Sequence, residues 1–185
     1  MQYKQPFKYL THILSQLASS EHYLFLLSDL RALLPQHSDG AFKTLLSRAN
    51  KAGLLTRVCR GVYLYPAVSY PKGVLLYHVA ALLRAGELNY ISLESALSNA
   101  GVISQIPFNW VTIMTSGRSN MVRCGHFGTI EFIHTDKRIE TLVDHLVYAE
   151  PYHLWLASVA LALQDMQAAR RNMDLIDWAV ADESI

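Results

Sequence analysis

Phe7, Leu10, Leu14 and Leu17 recur at three- and four-residue intervals with polar positions between them, so Pro6 to about Ser19 is expected to be an amphipathic helix with Pro6 near its first turn. Tyr23 to Leu27 is a short apolar run that suits a strand. Ser28 can then cap a second helix whose inner face would be Leu30, Leu33 and Leu34, ended by Pro35. Ser38 is the next N-cap candidate. It is followed by Phe42, Leu45, Leu46 and Ala49 at i, i+3, i+4 and i+7, a clear helical stripe that Gly53 is placed to terminate. After Gly53 the period changes: Leu55 to Arg60 and Val62 to Tyr65 are two short β-prone runs joined around Arg60-Gly61, which predicts a hairpin. Three helices followed at once by a basic hairpin give the element order of a winged helix-turn-helix.

Pro66, Tyr70-Pro71 and Gly73 punctuate the chain and mark the expected boundary between residues 1–66 and 67–185. The second part opens on a helix from about Val74 to Ala85, with Leu76, Val79, Ala80 and Leu83 inward and Gly86 closing it. A further helix is expected between a Ser92 cap and Gly101. Trp110 to Met114, Met121 to Cys124 and Thr129 to His134 then predict a small antiparallel sheet, and three helices at about 137–149, 151–166 and 168–181 are expected to close the chain. The fold class is therefore α+β: a winged helix-turn-helix followed by a mixed domain with a small antiparallel sheet and C-terminal helices.

Composition narrows the function. With 51% apolar and 17% charged residues the chain can bury a proper core. No signal peptide is apparent after Met1, and the most apolar stretch, Leu154 to Leu163, is about half the length of a membrane span and suits a buried helix, so a cytoplasmic protein without a membrane partner is expected. Cys59 and Cys124 form no CxxC pair and suggest neither a zinc nor a disulfide framework. The net charge of +1 conceals a split: residues 1–65 carry eight Lys or Arg against three Asp or Glu, and residues 66–185 carry eight against twelve. A basic excess confined to the first part suits a polyanion-binding module joined to a domain with a different partner.

On the third helix, the face opposite the apolar stripe carries Lys43, Thr44, Ser47, Arg48 and Lys51. Base readout falls to Lys43, Thr44 and Ser47, and phosphate contact to Arg48 and Lys51, because the N-terminal half of a recognition helix reaches the bases. Arg57 and Arg60, on or beside the hairpin turn, could clamp phosphates or enter a minor groove. A solvated helix face is the competing reading of the same residues. Tyr63 and Tyr65 suit strand packing better than base stacking, and Cys124 with His126 lacks the further pair a zinc site needs. There is no G-x-S-x-G elbow, Walker loop or H-E-x-x-H, so no catalytic residue, metal or cofactor is expected and the chain is read as a non-enzyme.

Four blocks in the second part form a recognisable series: Tyr90-Ile91-Ser92-Leu93-Glu94-Ser95-Ala96-Leu97, Gly101-Val102-Ile103, Val111 to Ser119, and Phe127 to His134. Together with the upstream Arg60-Gly61-Val62-Tyr63, they resemble the AbiEi family of antitoxins from type IV toxin–antitoxin (abortive infection) systems, over roughly residues 28 to 135. The resemblance implies an N-terminal winged helix that binds repeats in its own promoter, and a second domain that counters a nucleotidyltransferase-like toxin, commonly without a stable complex. It does not extend clearly beyond Lys137. By their residues alone, Ser92, Glu94 and Ser95 suit a helix N-terminus, while Arg118, with Arg123, is the candidate polar contact of the second domain. A homodimer, or two copies on repeated half-sites, would supply the specificity that one winged helix lacks. The alternative is a stand-alone transcriptional regulator whose C-terminal domain senses a ligand or dimerises through an apolar helix around Trp155, Leu156 and Val159.

Overall fold

The computed structural model describes residues 5–104 and 109–184, which divide into two compact units, Met1–Lys72 and Gly73–Ile185. In the first, α1 (Pro6–Leu17) buries Leu10 and Leu14 and leads to strand β1 (Leu24–Leu26). Helix α2 (Leu27–Ala32) is short, and α3 (Asp39–Lys51) buries Phe42, Leu45, Leu46 and Ala49, the stripe its spacing predicts. Ser38 Oγ accepts the Ala41 amide at 3.3 Å, as an N-cap should. Strands β2 (Thr56–Cys59) and β3 (Val62–Leu64) form the hairpin, whose turn Gly61 takes at φ +85°. β3 lies between β1 and β2, antiparallel to both, so this unit contains a three-stranded antiparallel sheet. One core unites the helices and the sheet, with Leu10, Leu30, Phe42, Leu46 and Leu55 at its centre.

The cap of α2 differs from expectation. Helix α2 begins before Ser28, and its first turn is closed by the Leu26 amide donating to Asp29 Oδ2 at 2.9 Å. Ser28 lies inside the helix and reaches only the Asp29 carboxylate. The acidic residue at the third helical position outcompetes the serine because its charged oxygen also meets the positive end of the helix dipole.

The second unit is built on a six-stranded mixed sheet of order β6-β7-β5-β4-β9-β8. Its strands are β4 (Asn89–Ile91), β5 (Trp110–Thr115), β6 (Asn120–Arg123), β7 (Thr129–His134), β8 (Leu146–Ala149) and β9 (Leu154–Ala157). Helices α4 (Leu75–Leu83), α5 (Leu93–Asn99), α6 (Val159–Ala168) and α7 (Trp178–Glu183) accompany it. The small antiparallel sheet expected here is corrected to this larger one, in which β5 runs parallel to β7 and β4 parallel to β9.

The three closing helices are corrected as well. Residues 137–149 form two 3-10 turns and β8, residues 151–166 form β9 before α6, and the last stretch holds a 3-10 turn at Met173–Leu175 and the start of the six-residue α7. The apolar stretch Leu154 to Leu163 is thus a strand followed by a helix, with Trp155 and Leu156 in β9 and Val159 opening α6. Its division comes from Ser158, whose Oγ accepts the Leu161 amide and starts α6 at that point. Among the described residues no helix is long and apolar enough to cross a membrane.

Candidate nucleic-acid interface

All seven residues singled out in the first unit are exposed: Lys43, Thr44, Ser47, Arg48 and Lys51 on α3, Arg57 on β2, and Arg60 at the hairpin turn. At roughly 100° per residue the five on α3 fall within an arc of about 140°, away from the buried stripe. Lys43, Ser47, Lys51 and Arg60 make no side-chain hydrogen bond or ion pair among the described residues. Their donors are available to phosphate oxygens or base edges. Thr44 differs, because its hydroxyl donates to Gly40 O at 2.9 Å and is partly engaged within the helix.

Arg48 and Arg57 are held by neighbours. The Arg48 guanidinium lies 6.0 Å from the centre of the Phe7 ring on α1, a cation–π arrangement that leaves its outer edge free to donate. Arg57 Nε donates to Cys59 O at 3.3 Å, and its backbone amide donates to Asn50 Oδ1 on α3 at 2.9 Å. Asn50 therefore fixes the root of the hairpin to the helix. Between Arg57 and Cys59 the pairing of β2 with β3 shifts by one residue, and such a bulge increases local twist and re-aims the strand. Tyr65 is buried and Tyr63 packs against the same core, so the packing reading of these aromatics holds.

The charge split follows the division into units. Residues 1–72 carry nine Lys or Arg against three Asp or Glu, a formal +6, and residues 73–185 carry seven against twelve, a formal −5. Of the acidic residues in the first unit, Asp39 is paired with Arg31 at 3.4 Å. Sequence reasoning missed three residues here. Lys8 is exposed on α1, His37 has a buried Nδ1 with no hydrogen-bond partner among the described residues, and Asn50 has the positioning role just described. No local signal marks Asn50, because its partner is a backbone amide seven residues on.

In the second unit Arg118 and Arg123 are both exposed but stand at opposite ends of β6, one in the preceding turn and one as its last residue. The polar centre of that turn is Arg84, which donates to Arg118 O at 2.8 Å and to Asn120 Oδ1 at 2.6 Å, pairs with Glu87 at 2.5 Å, and lies over the Phe132 ring. The Glu87 carboxyl is held below its ordinary range chiefly by the Arg84 hydrogen bond. A side chain at Gly117 would meet the ends of the Arg84 and Glu87 side chains, which would have to move aside.

Ser92 occupies the N-cap position of α5, but its hydroxyl does not cap the helix. It donates to Asp165 Oδ2 at 2.7 Å, and Lys137 Nζ donates to Asp165 Oδ1 at the same distance. The α5 terminus is served instead by Thr112 Oγ1 from β5, which accepts the Ser95 amide at 3.1 Å. The reason is burial: Asp165 is fully buried, and a buried carboxylate needs a donor more than the helix end needs an acceptor. Among the described residues no three His, Cys, Asp or Glu side chains gather as a metal site. No protein-family model matches the chain, and no curated protein matches it.

Proposed function

We propose that the protein is a DNA-binding antitoxin, which represses its own operon through a winged helix in residues 1–72 and counteracts a nucleotidyltransferase-like toxin through its second unit. The observation that carries the DNA-binding half is the set of exposed donors on α3 and the β2–β3 hairpin, on a unit of formal charge +6. The order helix, strand, helix, helix, hairpin, with β3 between β1 and β2, supports reading α3 as the recognition helix and the hairpin as the wing. Lys43, Thr44 and Ser47 then face bases, while Arg48, Lys51, Arg57 and Arg60 neutralise phosphates.

The antitoxin half rests on the AbiEi-like series from Tyr90 to His134. In support, that series supplies β4, β5, β7, the buried Ser92 and the turn held by Arg84, so it forms the centre of one unit. Arg118 and Arg123 are separate candidate contacts there. Co-expression with the toxin tests this half: growth rescue by the full chain, lost on Arg118→Glu, is the expected result, and toxicity undiminished by the full chain contradicts it.

A second reading is a stand-alone regulator that dimerises. Val147, Tyr148 and Trp155, which are 71%, 44% and 43% exposed, favour it because they leave apolar surface along the edge strand β8 and its neighbour. A neighbouring gene for a toxin-like nucleotidyltransferase separates the two readings.

A further inference from the structure

Between α1 and α3 lies a groove of about 630 Å³, within the range of small-molecule sites. Its wall is apolar, formed by Pro6, Phe7, Ala41 and Leu45. Lys8, His37 and Arg48 also line it, and no acidic residue does so among the described ones. Arg48 stands over the Phe7 ring, so a cation and an aromatic surface are presented side by side.

From this juxtaposition we propose that the groove binds a small organic anion with an apolar or aromatic body, whose occupation competes with nucleic acid for Arg48. The anionic group pairs with Arg48 and Lys8, and the body lies on Phe7 and Leu45. An inorganic phosphate or a backbone phosphate fits less well, because it has nothing to place against the apolar wall. The competition rests on the DNA-binding reading, since Arg48 belongs to both surfaces; the binding of the anion does not. If both hold, linkage requires that ligand and DNA weaken one another by the same factor.

The test titrates the isotope-labelled full chain with naphthoate, with naphthylmethanol as its neutral counterpart, and with inorganic phosphate, following the amide resonances of Phe7, Ala41, Leu45 and Arg48. Saturable shifts with naphthoate are expected, with about tenfold weaker binding of the alcohol, as the loss of a charge-assisted pair implies. Lys8→Ala and Arg48→Gln should each weaken naphthoate, and neither side chain is buried, so both variants should fold. Equal affinity for the alcohol, saturation by phosphate alone, or no saturable shift would overturn the proposal. Promoter binding is then measured with and without saturating naphthoate. An unchanged promoter affinity overturns the competition. Naphthoate binding by a chain that binds no promoter DNA defeats the DNA-binding reading and leaves the site standing.

Discussion

Asn50 and Arg57 show how a side chain can act on a surface it does not form. By accepting the Arg57 amide, Asn50 ties the hairpin to the end of α3. Asn50→Ala should cost about 1 kcal/mol, the net worth of one such bond, and weaken DNA binding more than Arg57→Ala alone by loosening the whole hairpin. Chemical denaturation and a promoter titration on the same variants check this. Gly128 is a stricter case: its φ is +127°, and a Cβ there would run into the Asn109 backbone. Gly128→Ala is expected to destabilise the second unit by about 2–3 kcal/mol, through strain and a clash that the backbone cannot relieve cheaply. A denaturation midpoint unchanged from the parent would contradict that reading.

At the scale of elements, the Ser92–Asp165–Lys137 group joins the start of α5, the middle of α6 and the loop after β7. Lys137→Met removes the charged partner of a fully buried carboxylate, with an expected cost of about 3 kcal/mol; the added Asp165→Asn should recover part of it by removing the charge. His78 on α4 gives a pH dependence. Burial, and then the His153 ring stacked 4.1 Å away, hold its pKa below the ordinary 6.5, against the opposing hydrogen bond to Pro151 O. The unfolded chain takes up the proton first, so this contribution to stability is complete above 6.5 and falls as pH drops from there toward the lower folded value. Exposed His134 has the opposite sign, since its hydrogen bond to Asp136 raises its pKa. Denaturation midpoints on either side of that pH should converge in His78→Gln; an undiminished difference would assign the dependence elsewhere.

The elements legible in the sequence were those whose signal is local. Helix α3 announces itself through Ser38, the stripe from Phe42 to Ala49, and Gly53, and the exposure of its five polar residues and of the two hairpin arginines is readable for the same reason. Strands β8 and β9 were not, because a four-residue apolar run such as Leu154–Ala157 fits helix and strand equally and is decided by its neighbours in the sheet. The parallel pairings of β5 with β7 and β4 with β9 are likewise set by distant chain. Ser92 reads locally as a capping side chain, because Asp165, its partner, is 73 residues away.

On the scale of the whole molecule, the two units carry opposite formal charge, and the proposed reading assigns nucleic-acid affinity to the first of them. Neutralising phosphates releases counterions, so binding should weaken steeply with salt, and each phosphate-contacting residue removed should lower the slope of log affinity against log salt by about one. Arg48→Ala with Arg57→Ala therefore predicts a slope reduced by about two, whereas Lys43→Ala should mainly relax the preference between sequences. The measurement that tests the central claim most directly is a titration of the full chain against its own upstream promoter and against scrambled DNA of equal length, at two salt concentrations. The account predicts preferential promoter binding that weakens with salt and is reduced by Lys43→Ala. Equal affinity for both DNAs, or no binding to either, would contradict it.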